Sequence, residues 1–226
     1  MLFERTKARR IVAVMLIVAI ALHWTAFKGF EQYYFTSSAQ KHQSTLRIAV
    51  SGLAEALNRY QVMPELLADR SDIKAFLLRP DDAEIGLQIS QLLKRLAAKI
   101  DASDIYLMDR KGLTLAASNY DTATSFIGMQ FDYRPYFSEA IQGGKGRYFA
   151  LGTTSLIRGY YFSAPIHVGD GIVGVVAVKI AIEPFEESWR GNESEILVED
   201  KYGIILMSSR KDWRFKTLAS LTQAEI

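Results

Sequence analysis

The 226-residue sequence predicts an α+β protein, and three observations carry that prediction. The first hundred residues place apolar side chains at helical steps, the following hundred break into short apolar runs closed by glycine, and only 5 Pro and 15 Gly occur in all. Steps of three and four mark helices, whereas short runs ended by turn residues mark antiparallel strands joined by hairpins. Hydrophobic residues make up 49% of the chain and charged ones 23%, a balance that excludes fibres and disorder. Cysteine is absent, which removes disulfides, thiolate metal sites and thiol nucleophiles. His23, His42 and His167 are scattered, so no zinc site has its ligand spacing. A net charge of +2 gives no footprint for nucleic acid.

The N-terminus comes first. Arg5, Lys7, Arg9 and Arg10 precede an unbroken apolar run from Ile11 to Leu22, extended through Phe27. As a helix this segment rises about 26 Å, enough for a hydrocarbon core of roughly 30 Å with Trp24 at the far interface. The basic flank keeps the N-terminus cytoplasmic and places everything from about Lys28 onward outside. A cleaved signal peptide is the alternative, with Ala19 and Ala21 as its small-residue pair. That pair lies inside the apolar run with no polar region before it, which favours an uncleaved anchor.

Beyond the anchor, Leu46, Val50, Leu53, Leu57 and Tyr60 continue the helical period. The segment from Gln32 to Gln43 has no core-forming period, so it stands as a stalk or packs on a second copy. Pro64 interrupts the helix, short helical pieces follow at Glu65–Ala68 and Ile73–Leu78, and Asp81 or Asp82 caps a helix carrying Ile85, Ile89, Leu92, Leu93, Leu96 and Ile100. Seven strands are then expected, at Ile105–Met108, Leu113–Ala117, Tyr148–Gly152, Tyr160–Ile166, Ile172–Ile180, Ile196–Glu199 and Ile204–Met207.

Within this set the segment Ile105–Ser118 aligns without gaps on Ile196–Ser209, with Ile, Asp, Gly, Leu and the last Ser coinciding. Any hairpin of the form strand, Asp-basic-x-Gly, strand has these turn residues, yet the ungapped match favours a duplicated module. After Ser209 too little chain remains for a complete second copy, so the chain reads as a fragment of a longer protein. The plan is a cytoplasmic basic tail at 1–10, a transmembrane anchor at 11–27, a long helix and helical segment at 28–100, a sheet module at 101–182 and an incomplete second one at 183–226.

Two cations stand out. Lys179 interrupts an otherwise apolar strand, so it either reaches water at a sheet edge or faces a polar pocket. Arg134, before Pro135 at a loop-to-helix junction, reads alone as an exposed or ion-paired arginine. Together they offer a planar fork for one carboxylate and a point charge for another, while Thr153, Thr154, Ser155 and tyrosine hydroxyls supply neutral hydrogen bonds. A small dianion needs such a set.

The elements Phe131-Asp-Tyr-Arg-Pro-Tyr-Phe137, Tyr148-Phe-Ala-Leu-Gly-Thr-Thr-Ser155, Arg158-Gly-Tyr-Tyr-Phe-Ser163 and Val178-Lys179, in this order, resemble the extracytoplasmic double Cache (tandem PAS-like) region of C4-dicarboxylate sensor histidine kinases, the DctB type. Asp212-Trp-Arg-Phe-Lys-Thr-Leu218 adds to the likeness, which covers nearly the whole chain. The resemblance implies a PAS-like distal module, ligand contacts at Arg134, Thr153, Ser155 and Lys179, and wall residues at Tyr136, Tyr148 and Tyr161. Strand alternation lets only one of Tyr160 and Tyr161 face the ligand. Leu156 and Ile157 depart from the small or polar residues expected beside a dicarboxylate. It further implies a small dicarboxylate ligand, a membrane, a homodimer and a response regulator as partners, a bacterial inner membrane with a periplasmic sensor region, and ATP and Mg only in a kinase core beyond Ile226.

No catalytic pattern appears. Gln142-Gly-Gly-Lys-Gly146 lacks the spacing of a phosphate loop, and the adjacent acids Asp81–Asp82 and Glu186–Glu187 read as caps or solvated surface. The expected function is therefore sensing, with a chemoreceptor or cyclic-dinucleotide enzyme as alternative output and a periplasmic hydrolase using Ser155 and His167 as the distant competitor.

Overall fold

The computed structural model describes residues 2–154, 156–191 and 193–218, with side chains from residue 15 onward except that of 17. The chain divides into two units, Met1–Val50 and Ser51–Ile226. The described residues of the first unit are helical, as the start of α1 (Leu2–Gln61). Phe30, Tyr33, Tyr34 and Phe35 are all exposed there, in agreement with a segment lacking a core-forming period. Among the described residues no helix is long and apolar enough to cross a membrane. In the anchor expected over 11–27, the side chains of 11–14 and 17 lie outside the described ones.

The second unit is an α+β body. Pro64 sits in the first turn of α2 (Met63–Ala68), where its missing N–H costs nothing, and α3 (Ser71–Leu78) follows. Asp82 caps α4 (Ala83–Ile100) by accepting from the backbone N–H groups of Glu84 and Ile85, both at 3.1 Å, as its sequence position predicts. Asp101 ends the helix in a left-handed conformation at φ 58°.

Strands β1 (Asp104–Asp109), β2 (Thr114–Ala117), β3 (Arg147–Leu151), β4 (Arg158–Val168) and β5 (Gly171–Ala181) form one antiparallel sheet in the order β2-β1-β5-β4-β3. All seven expected strands exist, and the last two, β6 (Leu197–Glu199) and β7 (Ile205–Ser208), form a separate two-stranded sheet. One face of the five-stranded sheet packs Ile105, Leu107, Ile166, Val176 and Val178 against Ile73, Phe76, Ile89 and Leu93 of the helices. The opposite face carries Tyr106, Met108, Tyr161, Val175 and Ala177, covered by Phe126, Phe131 and α5 (Pro135–Ile141). Both faces are thus buried, which is why β1 and β5 read as continuous apolar runs rather than alternating ones.

Strand order settles the two readings of Lys179. β5 is the central strand and Lys179 is 0% exposed, so it is no edge-protecting residue. The surface reading of Glu186 is also overturned. It lies in α6 (Glu183–Trp189) and is itself 0% exposed, because two arginines reach it from opposite directions along the chain.

Candidate functional site

The second face of the sheet builds the site from its register. Asp104 on β1 lies opposite Lys179 on β5, Lys179 opposite Tyr161 on β4, and Tyr161 opposite Tyr148 on β3, one row across four strands. Two positions further along β1 and β5 the same face continues with Tyr106 and Ala177. A Cβ at Gly159 would approach the Lys179 side chain to 2.8 Å, so the glycine after Arg158 is what lets the lysine stem lie across β4.

Above this floor stands α5. Pro135 at its start sets the helical φ, while Arg134 takes the extended conformation that a residue before proline prefers. The Arg134 guanidinium lies over the Tyr133 ring at 5.1 Å and donates to the Leu151 carbonyl at 3.3 Å and to Thr153 Oγ1 at 3.2 Å. The Tyr133 hydroxyl meets the same Thr153 oxygen at 3.1 Å. Inside, Tyr106 donates its hydroxyl to that of Tyr136 at 2.6 Å, and the Tyr136 and Tyr161 rings stack with centroids 5.0 Å apart and planes within 4°. Ser163 fixes the helix to the sheet by donating to the Tyr136 carbonyl at 2.7 Å.

These groups surround a narrow cleft with about 10 Å3 of free volume, open to solvent and lined by Tyr106, Phe126, Phe131, Arg134, Tyr136, Gly152, Thr153, Thr154 and Tyr161. Arg134, Thr153, Tyr136 and Tyr161, four of the residues that the family resemblance implies, lie together in this lining. Tyr160 faces away, against Phe162. Lys179 shares the face but stands behind Tyr161, its Nζ 5.9 Å from that ring and 3.7 Å from Asp104 Oδ2, and it does not line the cleft. Tyr148 belongs to the row yet is 36% exposed and outside the lining. Ser155 lies outside the described residues.

Electrostatically the cleft is a donor site. Burial pushes the Tyr161 hydroxyl up to about 12 and raises those of Tyr106 and Tyr136 as well, so all three stay protonated at neutral pH. Burial also lowers Lys179 below the ordinary lysine range, while Asp104 opposes that shift by charge and hydrogen bonding. An arginine at the mouth, neutral hydroxyl donors within and a lysine–aspartate pair at the end of the floor suit an anion. No group of three or more metal-ligating side chains occurs among the described residues.

Sequence reasoning missed Tyr106, Phe126 and Asp104. Phe131 stands in a quoted motif without a role. Asp104 was recoverable in principle, since it is the polar residue two positions before Tyr106 on the same strand face.

A five-stranded antiparallel sheet with helices on one face and an aromatic, arginine-mouthed cleft on the other defines a Cache-type sensor domain. The solved DctB sensor domain of Vibrio cholerae superposes with a TM-score of 0.80 at 35% identity, covering 82% of this chain and 72% of that one. The chain belongs to the DctB family of sensor proteins. Over 223 residues it is 36% identical to the C4-dicarboxylate transport sensor protein DctB of Pseudomonas aeruginosa and 31% identical to that of Rhizobium meliloti, covering 99% and 97% of this chain. It spans about a third of those relatives, 36% of each. The sensory domain of the Campylobacter jejuni chemoreceptor Tlp3 shares the fold, with a TM-score of 0.64 at 14% identity over 82% of this chain and 77% of that one. No family model matches the chain.

Proposed function

We propose that this chain is the ligand-sensing region of a transmembrane sensor histidine kinase and that it binds a C4-dicarboxylate in the cleft above the five-stranded sheet. The observation that carries the reading is the Arg134 guanidinium at the mouth of a cleft walled by Tyr106, Tyr136 and Tyr161, with Lys179 on the same sheet face. One ligand carboxylate takes the Arg134 fork with Thr153 beside it, and Ser155 is proposed as a further donor from the family resemblance alone. The second is directed down the aromatic walls toward Lys179, whose approach requires the Tyr161 ring to yield. Leu156 and Ile157, both exposed, follow Thr154 of the lining by two and three residues.

The relatives carry the name of a C4-dicarboxylate sensor, which supports this ligand class over other small acids. In this reading residues 11–27 anchor the chain in a bacterial inner membrane and the sensor region is periplasmic. It works as a homodimer, hairpin β6–β7 opens a second PAS-like module, and a response regulator is the downstream partner. Signalling is a population shift in which ligand favours one arrangement of the sensor and of its helix dimer.

Thermal denaturation tests it. Succinate, fumarate or malate at about one hundred times its dissociation constant adds roughly 2.7 kcal/mol and raises the melting temperature measurably. Butyrate, of similar size with one carboxylate, gives little shift. Equal shifts from both classes contradict a two-ended site.

A further inference from the structure

Between the cleft and the second hairpin lies a buried ion cluster. In the cleft loop, the described residues on either side of position 155 are tied by two hydrogen bonds, from Gly152 N to the Ile157 carbonyl at 3.0 Å and from Leu156 N to the Gly152 carbonyl at 2.9 Å. Leu156 adopts φ +54°, a left-handed conformation uncommon for a residue with a Cβ. The next residue after the loop is Arg158, 5% exposed. Its guanidinium forks onto Glu186 at 2.8 and 2.6 Å, donates to the Leu206 carbonyl at 3.0 Å and reaches Glu183 at 3.1 Å. The same Glu186 carboxylate accepts from Ser208 N at 2.8 Å, from Arg214 Nε at 3.1 Å and from Arg214 Nη2.

One buried carboxylate therefore takes donors from the loop's end, from β7 and from the segment after it. A buried carboxylate is tolerated only while paired, and a bidentate fork admits little change in angle. Displacing Arg158 must either carry Glu186 and Arg214 along or leave charges unpaired in the interior. We infer that Glu186, forked by Arg158 and Arg214, is a joint that sets the cleft loop and the second hairpin together, and that Arg214 is a positioning residue for a cleft it does not line. A ligand drawing on Arg134 and Thr153 moves the loop, and the loop moves the hairpin through Arg158. Coupling of this kind is reciprocal, so changes at Arg214 must be felt in the cleft. The part of this inference that concerns ligand rests on the cleft being the ligand site; the mechanical part does not.

Amide hydrogen exchange on the full chain in detergent, without ligand, tests the mechanical part. Arg214→Met is expected to raise exchange at Gly152 and Leu156 about tenfold while leaving Leu107 in the first hairpin protected. Arg210→Met, which lies four residues before Arg214 and removes an exposed pair with Asp212, is expected to change neither. Faster exchange in residues 196–209 with an unchanged cleft loop overturns the joint. Should Arg214→Met unfold the whole unit, Arg214→Lys, which keeps the charge without the fork, is read at the same amides. A rise confined to the loop supports the joint and no rise overturns it. Succinate affinity is then expected to weaken at least about fivefold in Arg214→Met. A wild-type chain that does not bind succinate removes the ligand reading and leaves the exchange result to decide the joint.

Discussion

The two hairpins, 105–118 and 196–209, share a set of hydrogen bonds and differ in what surrounds them. In each an aspartate (Asp109, Asp200) accepts through Oδ1 from backbone N–H groups two and four residues on, at 2.7 and 2.9 Å in the first and 2.9 and 3.0 Å in the second. In each a glycine at φ near +80° follows three residues after the aspartate, and a closing serine accepts from the first isoleucine N–H, Ser118 from Ile105 at 2.9 Å and Ser209 from Ile196 at 3.1 Å. The turn is thus written locally, in a few side chains. The surroundings are not. The first hairpin lies in a five-stranded sheet with Tyr106 and Leu107 at 1% and 0% exposure, whereas in the second Leu197 and Val198 remain half-buried and Glu186 with its two arginines holds β7. The first hairpin is secured by apolar packing on both faces of the sheet, whereas in the second a buried ion cluster adds to the burial of Ile196, Ile205 and Met207.

The largest expected effect follows from that difference. Glu186→Ala strands Arg158 and Arg214 beside an emptied site and is expected to cost about 3 to 5 kcal/mol in chemical denaturation. A loss under 1 kcal/mol means the cluster does not hold the second hairpin. The matched pair Leu107→Ala and Val198→Ala sharpens the contrast, because the two positions correspond in the repeat. The first removes a fully buried side chain and is expected to cost about 2 to 5 kcal/mol, the second on the order of 1 kcal/mol. Equal losses would show that the second hairpin is packed as tightly as the first.

The turn itself predicts equality instead. Asp109→Ala and Asp200→Ala each remove one acceptor serving two backbone N–H groups, and both are expected to cost about 1 kcal/mol. A difference beyond a factor of about two to three, the ordinary spread of such values, breaks the claim that the hairpins share one turn. Acid gives the smallest effect. Burial works against the Glu186 anion, but the Arg158 hydrogen bonds, Ser208 N–H and the two guanidinium charges outweigh it, so its carboxyl lies below the ordinary glutamate range. A carboxyl lowered by folding stabilises above its unfolded value, about 4.3, and loses that contribution as pH falls through the folded value. Protection of the Val198 amide, taken relative to its intrinsic exchange rate at each pH, is therefore expected to fall more than that of Leu107 as pH drops from about 5 to about 3, by on the order of 1 kcal/mol. The reverse order contradicts the assignment.

What could be read from the sequence divides along the same line. The Asp82 cap, the break at Pro64, the seven strands and the repeated turn are all encoded within a few residues, so period and turn chemistry reach them. Arg134, Thr153, Tyr136 and Tyr161, which meet in one cleft, each stand in a sequence motif that sets them apart. Glu186 was not, because its partners Arg158 and Arg214 each lie 28 residues away, and an acid beside another acid in a helix looks solvated until both arrive. Tyr106 was hidden for a different reason. With both faces of β1 buried, no alternation of polarity marks which face meets the cleft. The edge-or-pocket choice at Lys179 depended on strand order, which only the assembled sheet supplies.

In the proposed function, acid binding belongs to the cleft of the first sheet, through the Arg134 fork. Isothermal titration of succinate into the wild-type chain, into Arg134→Ala and into Asp200→Ala tests it most directly. One site per chain is expected, with affinity lost by about 2 to 5 kcal/mol in Arg134→Ala and retained in Asp200→Ala. Undiminished binding by Arg134→Ala contradicts the account.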